Sequence, residues 1–300
     1  MIEIPKDFTE FLYWVKERTE LFWSIDPQTS ENDFVCEDWI YGAKWIGLTE
    51  KEIDAIEIKY AIKFTEEHRS FLKILHTIDR KERREYTETF EEDAPKLIKE
   101  FPFFYNWMED ETEIKKIFSW PFDTMLEDVA GNNQVWLKSW GNKPNSEIEI
   151  KKIYSEWFQK TPAILPLTGY RFVISDPNLR HRPVLSIYGS DIIVFGWNFR
   201  SYLLNELQEH LNISKLVYDE EYDCYDPILF NEVQEIFDED YKHDESKIIP
   251  YWQEMILIWN SGWDSFGLKY PGEEDSEAYL IIKTYTPDSK DNSPLTFNAF

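Results

Sequence analysis

The sequence predicts an α+β fold: helices come first, one antiparallel sheet of about four to six strands follows, and a further helix returns after the sheet. Two observations give this prediction. Apolar residues recur at helical spacing in several segments before residue 159, namely residues 7–23, 49–75, 114–130 and 146–158. After Pro162, four short β-branched or aromatic runs follow one another with turn residues between them. Strands grouped in this way indicate an antiparallel meander rather than alternating βαβ units.

Capping residues set the starts of the predicted N-terminal helices. An acceptor side chain precedes an apolar stripe four times, at Asp7, Thr49, Thr65 and Ser146. Further helical spacing covers residues 114–118 and 122–130, the second segment ending at Gly131. Residues 79–100 are mostly charged, which is typical of a solvated helix or a mobile insertion. We therefore expect a charged insertion near residues 79–113.

The later elements follow from shorter patterns. The four predicted strands are Ala163–Leu167, Tyr170–Ile174, Pro183–Ile187 and Ile192–Phe195, and the returning helix is Phe199–Leu211. Residues 213–300 are less regular, with helical pieces near Phe230–Phe237 and Tyr251–Asn260 and a late strand at Tyr279–Tyr285. We expect one domain over residues 1–212 and an acidic, aromatic-rich extension over residues 213–300 packed on it.

Composition excludes several classes of protein. The 300 residues carry 58 acidic and 32 basic side chains, a net charge of −26, and 17% of them are aromatic. A disordered chain would be poor in aromatic residues, and so large a negative charge repels nucleic acids and anionic membranes. The longest run without a charged residue is ten residues, whereas a membrane span needs about 20 apolar ones. With no signal-peptide pattern at the N-terminus, the chain is predicted to be cytoplasmic, with Cys36 and Cys224 as free, buried thiols.

Catalytic and metal-binding motifs are not evident. The five histidines lack HxxxH or HxH spacing, and neither cysteine has a CxxC partner. There is no GxSxG elbow and no glycine-rich phosphate loop. We therefore expect no catalytic residue, no metal and no cofactor. A hydrolase that uses a carboxylate pair stays a weaker alternative, because sequence does not select two carboxylates from 58.

Residues 219–245 stand out, with twelve acids against the single base Lys242 and with aromatic residues interleaved. Carboxylates that steer a basic partner and rings that anchor it are typical of a protein-docking surface. The alternative without a binding role is a solvated helix face whose aromatic residues turn inward. The candidate partner-binding residues are Asp219, Glu220, Glu221, Tyr222, Asp223, Tyr225, Asp226, Glu235, Asp238, Glu239 and Tyr241.

Two regions resemble the SUKH superfamily, whose founding members are fungal regulators of cell-wall synthesis linked to killer-toxin resistance. Residues 45–72 resemble its opening, a Trp/Gly element followed by a capped helix with a central Glu. Leu165–Phe172, Pro183–Ile193 and Asn198–Glu206 resemble successive segments of its bacterial members. The residues that carry the resemblance are Trp45, Gly47, Glu57, Gly169, Tyr170, Arg171, Pro183 and Asp191.

The resemblance implies an α+β fold without known catalysis. Many bacterial members are similar to immunity proteins, which bind and neutralise a partner from a polymorphic toxin system. Several such toxins are nucleases, and a nuclease is commonly basic because it holds phosphates. The predicted function is therefore non-enzymatic neutralisation of a basic toxin, such as a nuclease, by direct binding. A regulatory or scaffold adaptor of the SUKH type is the alternative.

Overall fold

The computed structural model describes residues 2–30, 34–87, 95–131 and 135–270, and the backbone of two short strands at residues 281–282 and 295–296. The described chain is α+β, as the sequence predicts. It divides into two compact units: unit 1 is Met1–Glu111 with Phe199–Ile236, and unit 2 is Thr112–Asn198 with Phe237–Phe300. These boundaries differ from the expected division at residue 212, since residues 213–236 belong to unit 1.

The helices and strands lie as follows. The helices are α1 (Phe8–Trp23), α2 (Glu50–Tyr60), α3 (Glu66–Leu75), α4 (Glu111–Ala130), α5 (Glu147–Phe158), α6 (Phe199–Glu206), α7 (Gln208–Leu211), α8 (Asn231–Tyr241), α9 (Trp252–Ile256) and α10 (Asn260–Trp263). The strands are β1 (Trp45–Ile46), β2 (Thr77–Ile78), β3 (Lys81–Tyr86), β4 (Leu97–Pro102), β5 (Ile164–Thr168), β6 (Arg171–Ile174), β7 (Val184–Tyr188), β8 (Asp191–Gly196), β9 (Ser214–Asp219), β10 (Cys224–Leu229), β11 (Ile281–Ile282) and β12 (Leu295–Thr296).

The predicted helix starts are confirmed. The Asp7 carboxylate accepts the backbone N–H of Glu10 at 2.9 Å, which caps α1. At α2 the Glu52 carboxylate accepts the Thr49 backbone N–H at 2.7 Å, and the Thr49 hydroxyl oxygen accepts the Glu52 N–H at 3.3 Å. Each cap contributes about 1 kcal/mol because it satisfies a backbone donor that the helix itself leaves unpaired.

The predicted meander is also confirmed and forms the centre of unit 2. Its strands run in the order β5-β6-β7-β8, all antiparallel. The β7–β8 turn holds Gly189 at φ +60°, a left-handed conformation that favours glycine. The next residue, Ser190, donates its backbone N–H and its hydroxyl to the Asp128 carboxylate, both at 2.7 Å. The sheet packs in an apolar cluster that includes Tyr154 and Trp252.

Unit 1 is organised around a largely aromatic core. Its fully buried residues include Phe11, Trp23 and Phe104. The indole N–H of Trp45 donates to the Thr19 hydroxyl at 2.7 Å, so the buried Trp nitrogen is satisfied. The core thus joins α1 to the short β1–β2 ladder.

Charge alone is a poor guide to the segment after β2. Residues 79–100 were expected to form a solvated helix or a mobile insertion, but the structure has the β3–β4 hairpin here; residues 88–94 lie outside the described residues. Opposite charges meet across the ladder, because Arg83 pairs with Glu100 in the strand register. Such cross-strand pairs stabilise a strand without an alternating apolar pattern.

Three other boundaries differ from expectation. The two helical segments predicted within residues 114–130 are one helix, α4, which runs through Pro121. The predicted Phe199–Leu211 helix breaks at Leu207 into α6 and α7. Of the late strand expected at Tyr279–Tyr285, only residues 281–282 lie within the described residues, and these are extended.

No helix in the described part of the chain has both the length and the apolar composition needed to cross a membrane.

Candidate functional site

The β9–β10 hairpin of unit 1 carries the first seven candidate partner-binding residues. Its strands pair antiparallel in register, from Ser214 opposite Leu229 to Asp219 opposite Cys224. From residue 215 to residue 228, every residue is exposed except the half-buried Asp219. The hairpin forms its own two-stranded sheet. An isolated hairpin of this kind is marginally stable in water, so this one depends on its base and its turn.

Two of the candidate acids hold the turn of the hairpin. The Asp219 carboxylate accepts the backbone N–H of Glu221 at 2.8 Å and that of Tyr222 at 3.3 Å, which is an Asx-type turn. Asp223 adopts φ +52°, a left-handed conformation that aspartate tolerates. Its carboxylate also accepts the Tyr218 hydroxyl, and this hydrogen bond raises the pKa of Tyr218. Asp219 and Asp223 therefore shape the hairpin as well as charging it.

The remaining acids are exposed and available to a partner. Five carboxylates stand against Lys215 alone between residues 214 and 229, which gives this segment a net charge of −4. Among the described residues, Glu220, Glu221 and Asp226 form no salt bridge. A small element with this charge sets up a local field that attracts a cationic surface and steers its approach.

The hairpin also exposes apolar and aromatic side chains. Because side chains alternate along a strand, Leu216, Tyr218, Tyr225 and Pro227 share one face. The Tyr218 and Tyr225 ring centroids are 5.2 Å apart across the ladder. Leu216 is 53% exposed and Tyr225 is 65% exposed, while Tyr222 in the turn is 71% exposed. The expected alternative, in which the aromatic residues turn inward, does not describe this hairpin.

Cys224 corrects one expectation. Both cysteines are free, as predicted, and Cys36 is buried, but Cys224 is exposed on β10. Local desolvation first, and then the neighbouring Asp226 carboxylate, raise the pKa of the Cys224 thiol. A thiol in this acidic setting is a poor nucleophile, because only the thiolate reacts.

The candidate residues on α8 differ from those on the hairpin. Glu235, Asp238 and Glu239 are exposed, and the last two belong to unit 2. Tyr241 is half-buried, and its hydroxyl donates to the Val194 carbonyl at 3.0 Å. Burial also raises the pKa of Tyr241. Tyr241 is thus a packing residue of unit 2, and we leave it out of the docking surface.

A cleft of about 600 Å³ lies at the base of the hairpin, within unit 1. Its lining includes Trp14, Arg18, Lys215, Ile228 and Glu232. The Arg18 guanidinium lies 5.2 Å from the Trp14 ring centroid and donates to the carbonyls that end α7, so it is largely engaged. The cleft joins apolar surface to charges of both signs, which suits an anchoring side chain better than a small anion.

The three motif residues in unit 1 have structural roles. The Trp45 ring is buried, and Gly47 lies against the backbone of α3. The Glu57 carboxylate is buried and accepts the Phe64 backbone N–H at 2.8 Å and the Lys63 ammonium at 2.7 Å. Burial works to raise the pKa of Glu57, but the hydrogen bonds from Lys63 and Phe64 outweigh it and lower the pKa overall.

The five motif residues in unit 2 lie on its meander. Arg171 donates to the Ser186 hydroxyl at 2.6 Å and lies over the Tyr170 ring at 4.5 Å from its centroid. Tyr170 is partly exposed, Pro183 is buried, and Asp191 accepts the Ser261 hydroxyl at 2.7 Å. Gly169 takes φ +48° in the β5–β6 turn. These contacts are those of sheet packing and turns.

The described residues contain no group of three or more His, Cys, Asp or Glu side chains arranged to hold a metal ion. His68 is fully buried, and neither of its ring nitrogens has a hydrogen-bond partner among the described residues.

No family model, no curated protein and no solved structure matches this chain. The resemblance to the SUKH superfamily therefore stays a prediction made from the residues quoted above.

Proposed function

We propose that this chain is a non-enzymatic binding protein that docks its β9–β10 hairpin onto a basic surface of another protein. The observation that carries the proposal is a ribbon exposed on both faces, with carboxylates and aromatic rings side by side. Monomeric proteins rarely expose contiguous apolar surface without using it. Tyrosine anchors surrounded by charge are characteristic of interfaces that combine affinity with fast association.

The partner is proposed to be a basic toxin domain, and the binding to take place in the cytoplasm. This part rests on the net charge and on the resemblance to bacterial immunity proteins. The two are independent, because charge concerns association and the resemblance concerns ancestry. The hairpin has a net charge of −4 and the chain a net charge of −26. These charges attract a cationic surface of the kind that a nuclease uses to hold phosphates. The adaptor alternative shares the docking surface but has no toxin as its partner.

Co-expression separates the two proposals. If the chain is an immunity protein, its gene is expected to lie directly downstream of the toxin gene. The protein encoded directly upstream is therefore produced in a host with and without the chain, and growth is recorded together with co-purification of the pair. An immunity protein restores growth and forms a stoichiometric complex. Undiminished growth inhibition in the presence of folded chain contradicts the toxin proposal.

Reversing three exposed charges is expected to slow association with that protein by at least about tenfold at low salt. The variant carries Glu220→Lys, Glu221→Lys and Asp226→Lys and keeps the turn acids Asp219 and Asp223. Stopped-flow or biosensor kinetics at several salt concentrations measure the association rate constant, and its dependence on salt should flatten because steering is electrostatic.

The matched control carries Glu17→Lys, Asp123→Lys and Glu127→Lys, three exposed acids outside the hairpin. Either triple variant changes the net charge from −26 to −20, since each reversal adds two charges. The control should retain most of the wild-type rate constant. Equal slowing by the two variants would mean that total charge, rather than the hairpin, governs association.

A further inference from the structure

The hydrogen-bond phase of the β9–β10 ladder shows which backbone groups face outward. The Phe230 N–H donates to the Ile213 carbonyl at 2.9 Å. Ile213 and Phe230 are therefore a hydrogen-bonded pair, and they lie next to the pair Ser214–Leu229 at the base of the hairpin. Hydrogen-bonded and non-hydrogen-bonded pairs alternate along an antiparallel ladder. The pairs Leu216–Pro227 and Tyr218–Tyr225 are therefore non-hydrogen-bonded, and their backbone groups point away from the ladder.

The two outer edges of the hairpin are not equivalent. On β10 an outward position is held by Pro227, which has no N–H and blunts that edge against another strand. On β9 the corresponding positions are Leu216 and Tyr218, and each offers both an N–H and a C=O. Within the described chain the hairpin pairs with no further strand. The edge of β9 is thus open, whereas Pro227 blunts that of β10, where Tyr225 keeps its outward N–H and C=O.

We propose that the partner inserts an extended basic segment as a third strand along β9, with main-chain hydrogen bonds to Leu216 and Tyr218. The proposal rests on the proposed function and adds the mode of binding to it. Addition of a strand to an exposed edge takes affinity from backbone hydrogen bonds and specificity from alternate side chains.

The two faces of the hairpin define the chemistry of that segment. One face presents Leu216, Tyr218 and Tyr225, and the other presents Lys215, Val217 and Asp219 on β9 beside Asp226 and Ile228 on β10. An added strand therefore meets apolar side chains on one face. On the other face it meets Val217 and, towards the turn, the Asp219 and Asp226 carboxylates, with Lys215 near the base. The segment that fits alternates apolar residues with Lys or Arg.

Charge decides against a second copy of this chain as the occupant. Pairing two β9 strands would bring together two hairpins of net charge −4, and like charges across a ladder destabilise it. A basic segment removes this repulsion and neutralises carboxylates that have no cation of their own. The open edge and the acidic face thus select the same kind of partner.

A capped eight-residue peptide that alternates Lys and Val is the probe. Its diastereomer with two adjacent D-residues at the centre has the same charge and composition but does not form a regular strand. Fluorescence anisotropy with the full chain is expected to give at least about tenfold tighter binding of the all-L peptide, the equivalent of one to two net hydrogen bonds.

Two variants test the edge from the side of the chain. Leu216→Pro removes an outward N–H and leaves the ladder hydrogen bonds intact. It should weaken the binding of the all-L peptide by about tenfold. Leu216→Ala shortens the side chain but keeps the N–H, and should weaken it much less. If Leu216→Pro fails to fold, the comparison of the two peptides on the wild-type chain still decides.

The outcomes separate this inference from the proposed function. Equal binding of the two peptides overturns strand addition and leaves an electrostatic docking surface in place. Binding of neither peptide overturns strand addition and counts against the acidic docking surface as well. Tight binding that Leu216→Pro does not weaken places the peptide elsewhere and overturns the inference.

Discussion

Lowering the pH from about 7.5 to about 5.0 is expected to destabilise unit 1 by about 6 kcal/mol, because three of its histidines are buried in the neutral form. Burial lowers the pKa of His68 to about 3 and those of His76 and His210 to about 4, from an ordinary value of 6.5. Domains are stable by only about 5–15 kcal/mol, so the loss approaches complete unfolding.

The direction follows from which state takes up protons first. The unfolded chain protonates these rings as the pH falls through 6.5, whereas the folded state resists until the pH nears 3–4. The histidine contribution is therefore complete above pH 6.5 and declines steadily below it. A pH of 5 is about 1.5 units below the pKa of each ring in the unfolded chain. Each ring therefore lowers the free energy of unfolding by about 2 kcal/mol at that pH.

The surroundings of the rings explain why protonation is resisted. The His68 ring packs against the Phe64 ring at a centroid distance of 4.6 Å, and neither ring nitrogen has a hydrogen-bond partner among the described residues. His76 accepts the Trp107 backbone N–H at 2.9 Å, and His210 accepts the Trp23 indole N–H at 3.0 Å. A protonated ring would lose its acceptor in the last two cases and stand unsolvated among aromatic rings in the first.

The variant His68→Leu isolates one ring. Urea unfolding at the two pH values should show it about 1–3 kcal/mol more stable than wild type at the higher pH, since two buried ring nitrogens that have no partner among the described residues are removed. On acidification, the free energy of unfolding of this variant should fall by about 2 kcal/mol less than that of wild type. Phe64→Leu alters packing in the same place without removing a titrating group. A His68→Leu chain that loses as much stability as wild type would contradict the account.

Replacing Gly47 by Ala is expected to lower the free energy of unfolding by at least about 4 kcal/mol. A Cβ at this position would lie 1.9 Å from the Lys73 carbonyl oxygen and 2.7 Å from its carbon. Those atoms belong to the backbone of α3, and the adjacent Leu48 N–H donates to the Leu72 carbonyl at 2.9 Å. Relief therefore requires β1 and α3 to move apart, at the expense of packing.

Gly131→Ala is the matched control, because a Cβ there meets no atom of the described residues within 4 Å. It should change stability by no more than about 1 kcal/mol, and in the favourable direction where the backbone suits alanine. Circular dichroism and urea unfolding of the two variants measure the difference. A Gly47→Ala chain as stable as wild type would show that β1 and α3 do not approach each other this closely.

Patterns with short-range causes were predictable from the sequence. Capping pairs such as Thr49 and Glu52 act within one helical turn, and the strands after Pro162 are bounded by their own turn residues. The apolar stripe and its cap appear in neighbouring residues, so these elements lie where expected. The fold class follows from the order of such elements.

Features that depend on distant residues were not predictable. The break at Leu207, the continuation of α4 through Pro121 and the division of the chain into two units depend on which surfaces pack together. The β9–β10 hairpin had a usable local signal in the polar turn around Asp219 and Asp223. The many acidic residues in 219–245 made this turn hard to recognise, because an acidic run is equally compatible with a solvated helix.

Hydrogen exchange of the full chain, alone and saturated with the protein encoded upstream, measures whether the β9–β10 hairpin is the surface that binds the partner. Amides of an exposed hairpin exchange quickly, and a bound partner slows those that it covers or pairs. We expect protection concentrated in residues 214–229, including the outward-facing amides of Leu216 and Tyr218. Slowed exchange elsewhere in a complex that leaves the hairpin amides at their free rates would contradict it.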